Sequence, residues 1–298
     1  MAGISNRKKT ENMHNVGLRK FLAAGATAIT FMLVLSGCSS SDERPNPSPS
    51  TVSGATTDGK LTIGIAFDQP GLSFKDGDTY TGFDIDTATY VAAALGVPAE
   101  NITWKEANGD DRQNLLISGD ADLIVSTFSI TDDRKKVIDF AGPYFEAHQD
   151  LLVRRNETEI TSPETLNGRK LCSVPGTTSA ANITAKYQGQ IQLTELPTFS
   201  DCVRALDASQ VDAVTTDDVI LAGFAAEDQY RGRLKVIGKG FSDELYGIGV
   251  KKGDTEMLDK VNAALKQYID DGAWAKSLNS TVRPSGYSIP DPPTPGTA

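Results

Sequence analysis

The sequence predicts an α/β protein built over residues 60–282, and three observations carry that reading. Short β-type apolar runs alternate with stretches of helical periodicity. Capping residues stand just before several helical stretches, and glycines stand just past their ends. Chains of this alternating kind fold around largely parallel sheets with helices packed on the faces.

The elements follow in order. Leu61-Thr62-Ile63-Gly64-Ile65-Ala66-Phe67 alternates as a strand. Asp86 to Leu95 is helical and Gly96 closes it. Ile102-Thr103-Trp104 is the next strand, Arg112 to Ser118 a helix ended by Gly119, and Leu123 to Ser126 a buried strand. Thr131-Asp132-Asp133 opens a helix, because a hydroxyl caps free N–H groups and acids suit the positive end of the helix dipole. Leu151-Leu152-Val153 is a strand, and Ser162-Pro163-Glu164 a helix start with proline at the first helical position. Leu171 to Val174 and Ala213 to Thr215 are strands flanking a helix over Ser200 to Ala208. Leu258, Val261, Leu265, Tyr268 and Ile269 form a helical stripe closed by Gly272. In such sheets ligands bind beyond the carboxyl ends of the strands, where helix starts present free N–H groups.

The flanks have a different composition. Arg7, Lys8, Lys9, Arg19 and Lys20 precede an uncharged apolar run from Phe21 to Leu35, which ends in Leu35-Ser36-Gly37-Cys38. That order describes a secretory signal over residues 1–37, and its ending resembles the bacterial lipobox, in which the cysteine is acylated. The alternative is an uncleaved anchor, although the run is shorter than the roughly 20 residues that span a bilayer comfortably. Residues 38–59, rich in Ser, Pro, Thr and Gly, predict a flexible tether, and 288–298 a disordered tail. The expected location is therefore outside the cell, with Cys38 lipid-anchored to the outer face of the membrane.

In an oxidising setting the other two cysteines, Cys172 and Cys202, suggest a disulfide; two buried thiols that never meet are the alternative. Apart from His14 in the leader, His148 is the one histidine, and no paired Cys or His spacing is present, so neither metal nor cofactor is expected. The net charge of −10 argues against nucleic acid, which calls for clustered lysine and arginine.

Six short motifs then carry a resemblance. Gly82-Phe83-Asp84-Ile85-Asp86, Ser129-Ile130-Thr131-Asp132-Asp133-Arg134 and Pro175-Gly176-Thr177-Thr178 are followed by Val211-Asp212-Ala213, Tyr246-Gly247-Ile248-Gly249 and Asp271-Gly272-Ala273-Trp274. Each is weak alone, but their order and spacing resemble the polar amino-acid-binding proteins of ABC importers, extracellular solute-binding family 3. Phe67-Asp68-Gln69-Pro70-Gly71 and the two cysteines are most similar to the glutamate-binding lipoproteins of actinobacteria. The resemblance implies a two-lobed periplasmic-binding-protein-like fold of type 2, with two crossover strands as hinge. Lobe one would hold 60–145 and 247–287, lobe two 146–246. It also implies a monomer that captures a polar amino acid, glutamate first, and delivers it to a permease and its ATPase.

Residue roles follow from the same resemblance. Arg134 would pair with the ligand α-carboxylate, since a guanidinium offers a planar two-pronged fork, with Ser129 and the Thr127 backbone completing the clasp. A solvated arginine in a helix's first turn is the alternative. Asp217 would accept the α-ammonium; helix capping is the other use for it, and for Asp218. Thr177 and Thr178 would hold the ligand from a helix start, or simply cap that helix. Arg112 would meet a distal carboxylate, Tyr246 would add a hydroxyl, and Gln69 would compensate for a missing lysine. Ala66 stands where many glutamate binders carry lysine, so glutamine and asparagine remain alternatives. Two other functions are weighed against binding and delivery. A dehydratase on the same fold would need an acid or base free of ligand ion pairs. A sensor domain would need a separate partner.

Overall fold

The computed structural model describes residues 59–109, 111–187 and 189–297. The signal, Cys38 and the tether up to residue 58 lie outside the described residues, as does Asp110. Among the described residues no helix is long and apolar enough to cross a membrane.

The structure is a two-lobed α/β protein in which one sheet runs through both lobes in the order β5-β1-β6-β12-β7-β10-β8-β9. In the first lobe β1 (Leu61–Ile65) pairs in parallel with β5 (Ile102–Glu106) and with β6 (Leu123–Ile124). In the second, β8 (Lys170–Ser173) pairs in parallel with β9 (Gln192–Glu195) and with β10 (Ala213–Asp217). Two long antiparallel strands join these halves: β7 (Ile138–Arg154) and β12 (Asp243–Lys251). The expected parallel sheets thus form within each lobe, but each is bordered by strands running the other way. The short β11 (Leu234–Val236) adds to the far end of β7.

Only Leu151–Val153 of β7 is readable beforehand, because Gly142-Pro143 looks like a turn signal in the middle of its seventeen residues. A second omission is the three-stranded sheet β2 (Asp68–Gln69), β3 (Ser73–Asp76) and β4 (Thr79–Thr81), whose pieces are too short for periodicity. Helix α1 (Phe83–Ala94) starts three residues earlier than expected. It is buried on nearly all sides, Asp84 included, so no polar face marks its beginning. Gly82 before it has φ 121°, and a Cβ there would lie 2.3 Å from the Leu72 carbonyl oxygen.

The other helices are α2 (Asp111–Ser118), α3 (Asp132–Lys135), α4 (Thr178–Lys186), α5 (Phe199–Asp207), α6 (Asp218–Ala226), α7 (Thr255–Asp270) and α8 (Ala273–Thr281). Thr131 caps α3 as expected, its hydroxyl accepting from the Arg134 N–H. The helix expected after Ser162 is one 3-10 turn, Pro163–Leu166, closed by a Ser162–Thr165 capping box. Cys172 on β8 and Cys202 on α5 are bridged, with Cα atoms 5.5 Å apart. A bridge closing a loop of this length contributes about 3–4 kcal/mol in the chain-entropy view. The tail expected to be disordered has no helix or strand through residue 297. Even so, Ile289 packs on the core and the Gly296 N–H donates to the Gly142 carbonyl.

Candidate functional site

The carboxyl ends of both parallel strand sets face a narrow cleft lined mostly by polar side chains. Gln69, Arg112, Thr127 and Ser129 line it from one lobe; Thr177, Thr178 and Asp217 line it from the other. Seven of the nine expected ligand-binding residues thus share one cavity wall. The remaining two, Arg134 and Tyr246, bond to residues of that wall.

On the first lobe the chain leaving β6 turns sharply, and Thr127 takes φ 41°, a left-handed conformation that a threonine seldom adopts. Asp84 holds it there. One carboxylate oxygen accepts the Thr127 N–H at 2.9 Å, and the other accepts the Tyr144 O–H at 2.7 Å. Burial pushes the Asp84 carboxyl up to about 6, against the pull of those two bonds. The Thr127 hydroxyl donates to Gln69 Oε1 at 3.2 Å. Asp84 falls within a family-like motif, but a position just before the expected helix gives no sign of its full burial.

The two arginines converge. Both guanidinium groups lie over the Phe128 ring, Arg112 at 4.5 Å and Arg134 at 4.8 Å. Arg112 donates to the carbonyls of Gly109, Ser126 and Thr127, and Arg134 donates to Ser129 O at 2.6 Å. Both reach across to Gly176 O on the other lobe, at 3.3 Å and 3.1 Å. Ser129 Oγ lies 3.4 Å from Thr178 Oγ1, making a further crossing contact. Asp68, which had no assigned role, accepts from the Ser200 N–H across the same gap.

On the second lobe Thr177 is the N-cap of α4, accepting from the Ala180 N–H, so capping and cleft lining are both real. Thr178 donates to Glu244, a buried acid that nothing in the sequence singled out. Asp217 and Asp218 divide their work. Asp218 accepts from the His148 and Val219 N–H groups and from Tyr287, all structural bonds outside the cleft lining. Asp217 makes no capping bond. Its Oδ2 accepts the Tyr246 O–H at 2.6 Å, and its Oδ1 is buried with no hydrogen-bond partner among the described residues. Burial first, then the nearby Glu244 charge, pushes its carboxyl up to about 8. Such a group is largely protonated at neutral pH and would ionise on pairing with a cation. Hydroxyls, the Arg112 guanidinium and the carboxyls of Asp68 and Asp217 line the cleft, groups able to bind a charged polar ligand.

A cleft of polar groups between two α/β lobes, bonded across by both, is the architecture of a solute-binding protein. The chain belongs to the bacterial extracellular solute-binding proteins, family 3, whose pattern it matches over residues 61–281. It is a binding protein and not an enzyme. Among its relatives is the glutamate-binding protein GluB of Corynebacterium glutamicum, 39% identical over 76% of this chain and 80% of that one. The ABC transporter glutamine-binding protein GlnH of Bacillus subtilis is 33% identical over 89% and 98%. Among solved structures, an ancestral arginine-binding protein bound to glutamine aligns with TM-score 0.70 and 34% identity, over 76% of this chain and 99% of that one. AncCDT-1, described as an ancestral amino acid-binding protein and a precursor of cyclohexadienyl dehydratase, aligns at TM-score 0.67 and 31% identity, over 75% and 95%.

Proposed function

We propose that this protein captures a polar amino acid, glutamate first, between its lobes and delivers it to the permease and ATPase of an ABC importer. The observation that carries the reading is the charge pattern of the cleft. Two guanidinium groups sit over one ring on the first lobe, and Asp217, one oxygen of which has no partner among the described residues, lines the cleft from the second. Two positive groups match the two carboxylates of glutamate, and Asp217 matches its ammonium. The kinship to two GluB proteins, at 39% and 35% identity, supports the same ligand. Kinship to glutamine binders at 33% identity makes glutamine the second reading.

Calorimetry with glutamate, glutamine, asparagine and arginine tests the choice, and glutamate is expected to bind tightest. Arg112→Ala should weaken glutamate at least tenfold more than glutamine, because only glutamate has a distal charge to lose. Tighter binding of glutamine by the native protein would replace the ligand assignment. An equal loss for both ligands would remove Arg112 as reader of the distal charge.

The anchoring reading rests on the Leu35 to Cys38 pattern behind its basic and apolar leader. Cells fed an alkyne-tagged fatty acid should label the native protein and leave Cys38→Ala unlabelled. Equal labelling of both would end the proposal.

A further inference from the structure

Outside the cleft, one group of side chains has no part in amino-acid binding. Glu146, His148 and Asp243 each offer one ligand atom, and these atoms all lie within 4.8 Å of one another. None of the three lines the cleft. We propose that they form a site for a divalent transition metal of the zinc class, clipping the two crossover strands together.

The strand geometry builds the cluster. On β7, Glu146 and His148 alternate with the buried Phe145 and Ala147, so both project from the same face. On β12, Asp243 lies directly opposite His148 in the antiparallel register, while Leu245 lies opposite Glu146. His148 Nδ1 is already 3.2 Å from an Asp243 carboxylate oxygen, and equally far from the Ser242 carbonyl. Ligand atoms sharing one tetrahedral zinc lie about 3.3 Å apart, given metal–ligand bonds of about 2.0–2.2 Å. Small rotations of exposed side chains therefore close the site. Asp243 is 81% exposed and His148 43%, which permits that movement and lets water complete the coordination.

The donor set selects the ion. One imidazole nitrogen with two carboxylates suits zinc, cobalt or nickel, whereas magnesium prefers an all-oxygen octahedron that keeps its waters. Two carboxylate charges also balance a dication. The cluster is invisible to a search for ligand spacing, because its third donor comes from a strand almost a hundred residues further along the chain. An ordinary His–Asp surface contact needs only two of these groups; the third on the same face argues for an ion.

The test is a zinc titration of the purified full chain after chelator treatment, by calorimetry and thermal unfolding. One ion per chain is expected, with a dissociation constant on the order of micromolar. At a hundredfold excess over that constant, the unfolding midpoint should rise by about 5 °C. His148→Ala and Asp243→Asn should each weaken zinc at least tenfold while leaving glutamate affinity unchanged, and magnesium should not bind. Asp243 is too exposed for its replacement to unfold the chain, so that variant decides the matter even if His148→Ala misfolds. Absence of saturable binding up to about 1 mM zinc would overturn the proposal. So would equal zinc affinity in Asp243→Asn, which would place the ion elsewhere, such as at His14 or Cys38.

Discussion

Replacing Arg134 or Asp217 with alanine is expected to cost amino-acid binding about 3–5 kcal/mol, a loss between a hundredfold and a few thousandfold. Each substitution would leave one ligand charge desolvated and unpaired in a closed cleft. The two variants should differ in what they do to the fold. Arg134 donates to Ser129 O and Gly176 O, so its loss also removes bonds that tie the lobes together. Asp217 makes no bond between the lobes: its loss removes one buried oxygen lacking a described partner and orphans the Tyr246 hydroxyl, so the ligand-free protein should lose only about 1–3 kcal/mol. Calorimetry reads the first effect and urea unfolding the second. Unchanged affinity in either variant would sink the two-lobe clamp. The clamp also explains closure, since a zwitterion meets both groups only when the lobes approach, and a ligand shifts an equilibrium only by its differential affinity.

Binding should also release a proton. With its carboxyl near 8, Asp217 is about nine-tenths protonated at pH 7 in the ligand-free protein. An ammonium pairs with the ionised form, so uptake expels that proton. Affinity should rise about tenfold from pH 6 to pH 7 and level off above pH 8. Tyr246 keeps its proton throughout, because burial and the Asp217 charge push its hydroxyl well above the ordinary range. Calorimetry at pH 7 in phosphate and in Tris counts the proton through the difference in buffer ionisation heat. Asp217→Asn should abolish that difference, and a flat affinity profile between pH 6 and pH 8 in the native protein would refute the linkage.

The sign for stability follows from the same shifts. Asp84 near 6 and Asp217 near 8 both lie above the usual carboxylate value near 4. Their contribution to folding is therefore full below about pH 4 and is lost as pH rises through about 6 and about 8. Ligand should offset the Asp217 part, so its stabilising effect should grow from pH 6 to pH 8.

Much of the fold was legible because its signals are local. Alternation marked β1, a hydroxyl followed by acids marked the cap of α3, and a glycine marked the end of α1. The family resemblance pointed to seven residues that line the cleft, Arg112 and Asp217 among them. What stayed hidden was long-range. A Gly-Pro pair disguised a seventeen-residue strand, and Glu244 looked like any surface acid.

The sequence by itself determined the alternation of strands and helices, the caps at their ends and the chemical types available to a ligand. These depend on near neighbours, whose φ/ψ preferences and hydrogen bonds are set within a few residues. Only the tertiary structure decided the state of the aspartate in the cleft and the work of its neighbour. Asp217 points to the cavity while Asp218 is tied to His148 and Tyr287, from distant segments of the chain. Its raised carboxyl depends on being buried beside Glu244 on β12. Burial and Coulomb energy depend on distance in space, and strand pairing sets that distance regardless of separation along the chain.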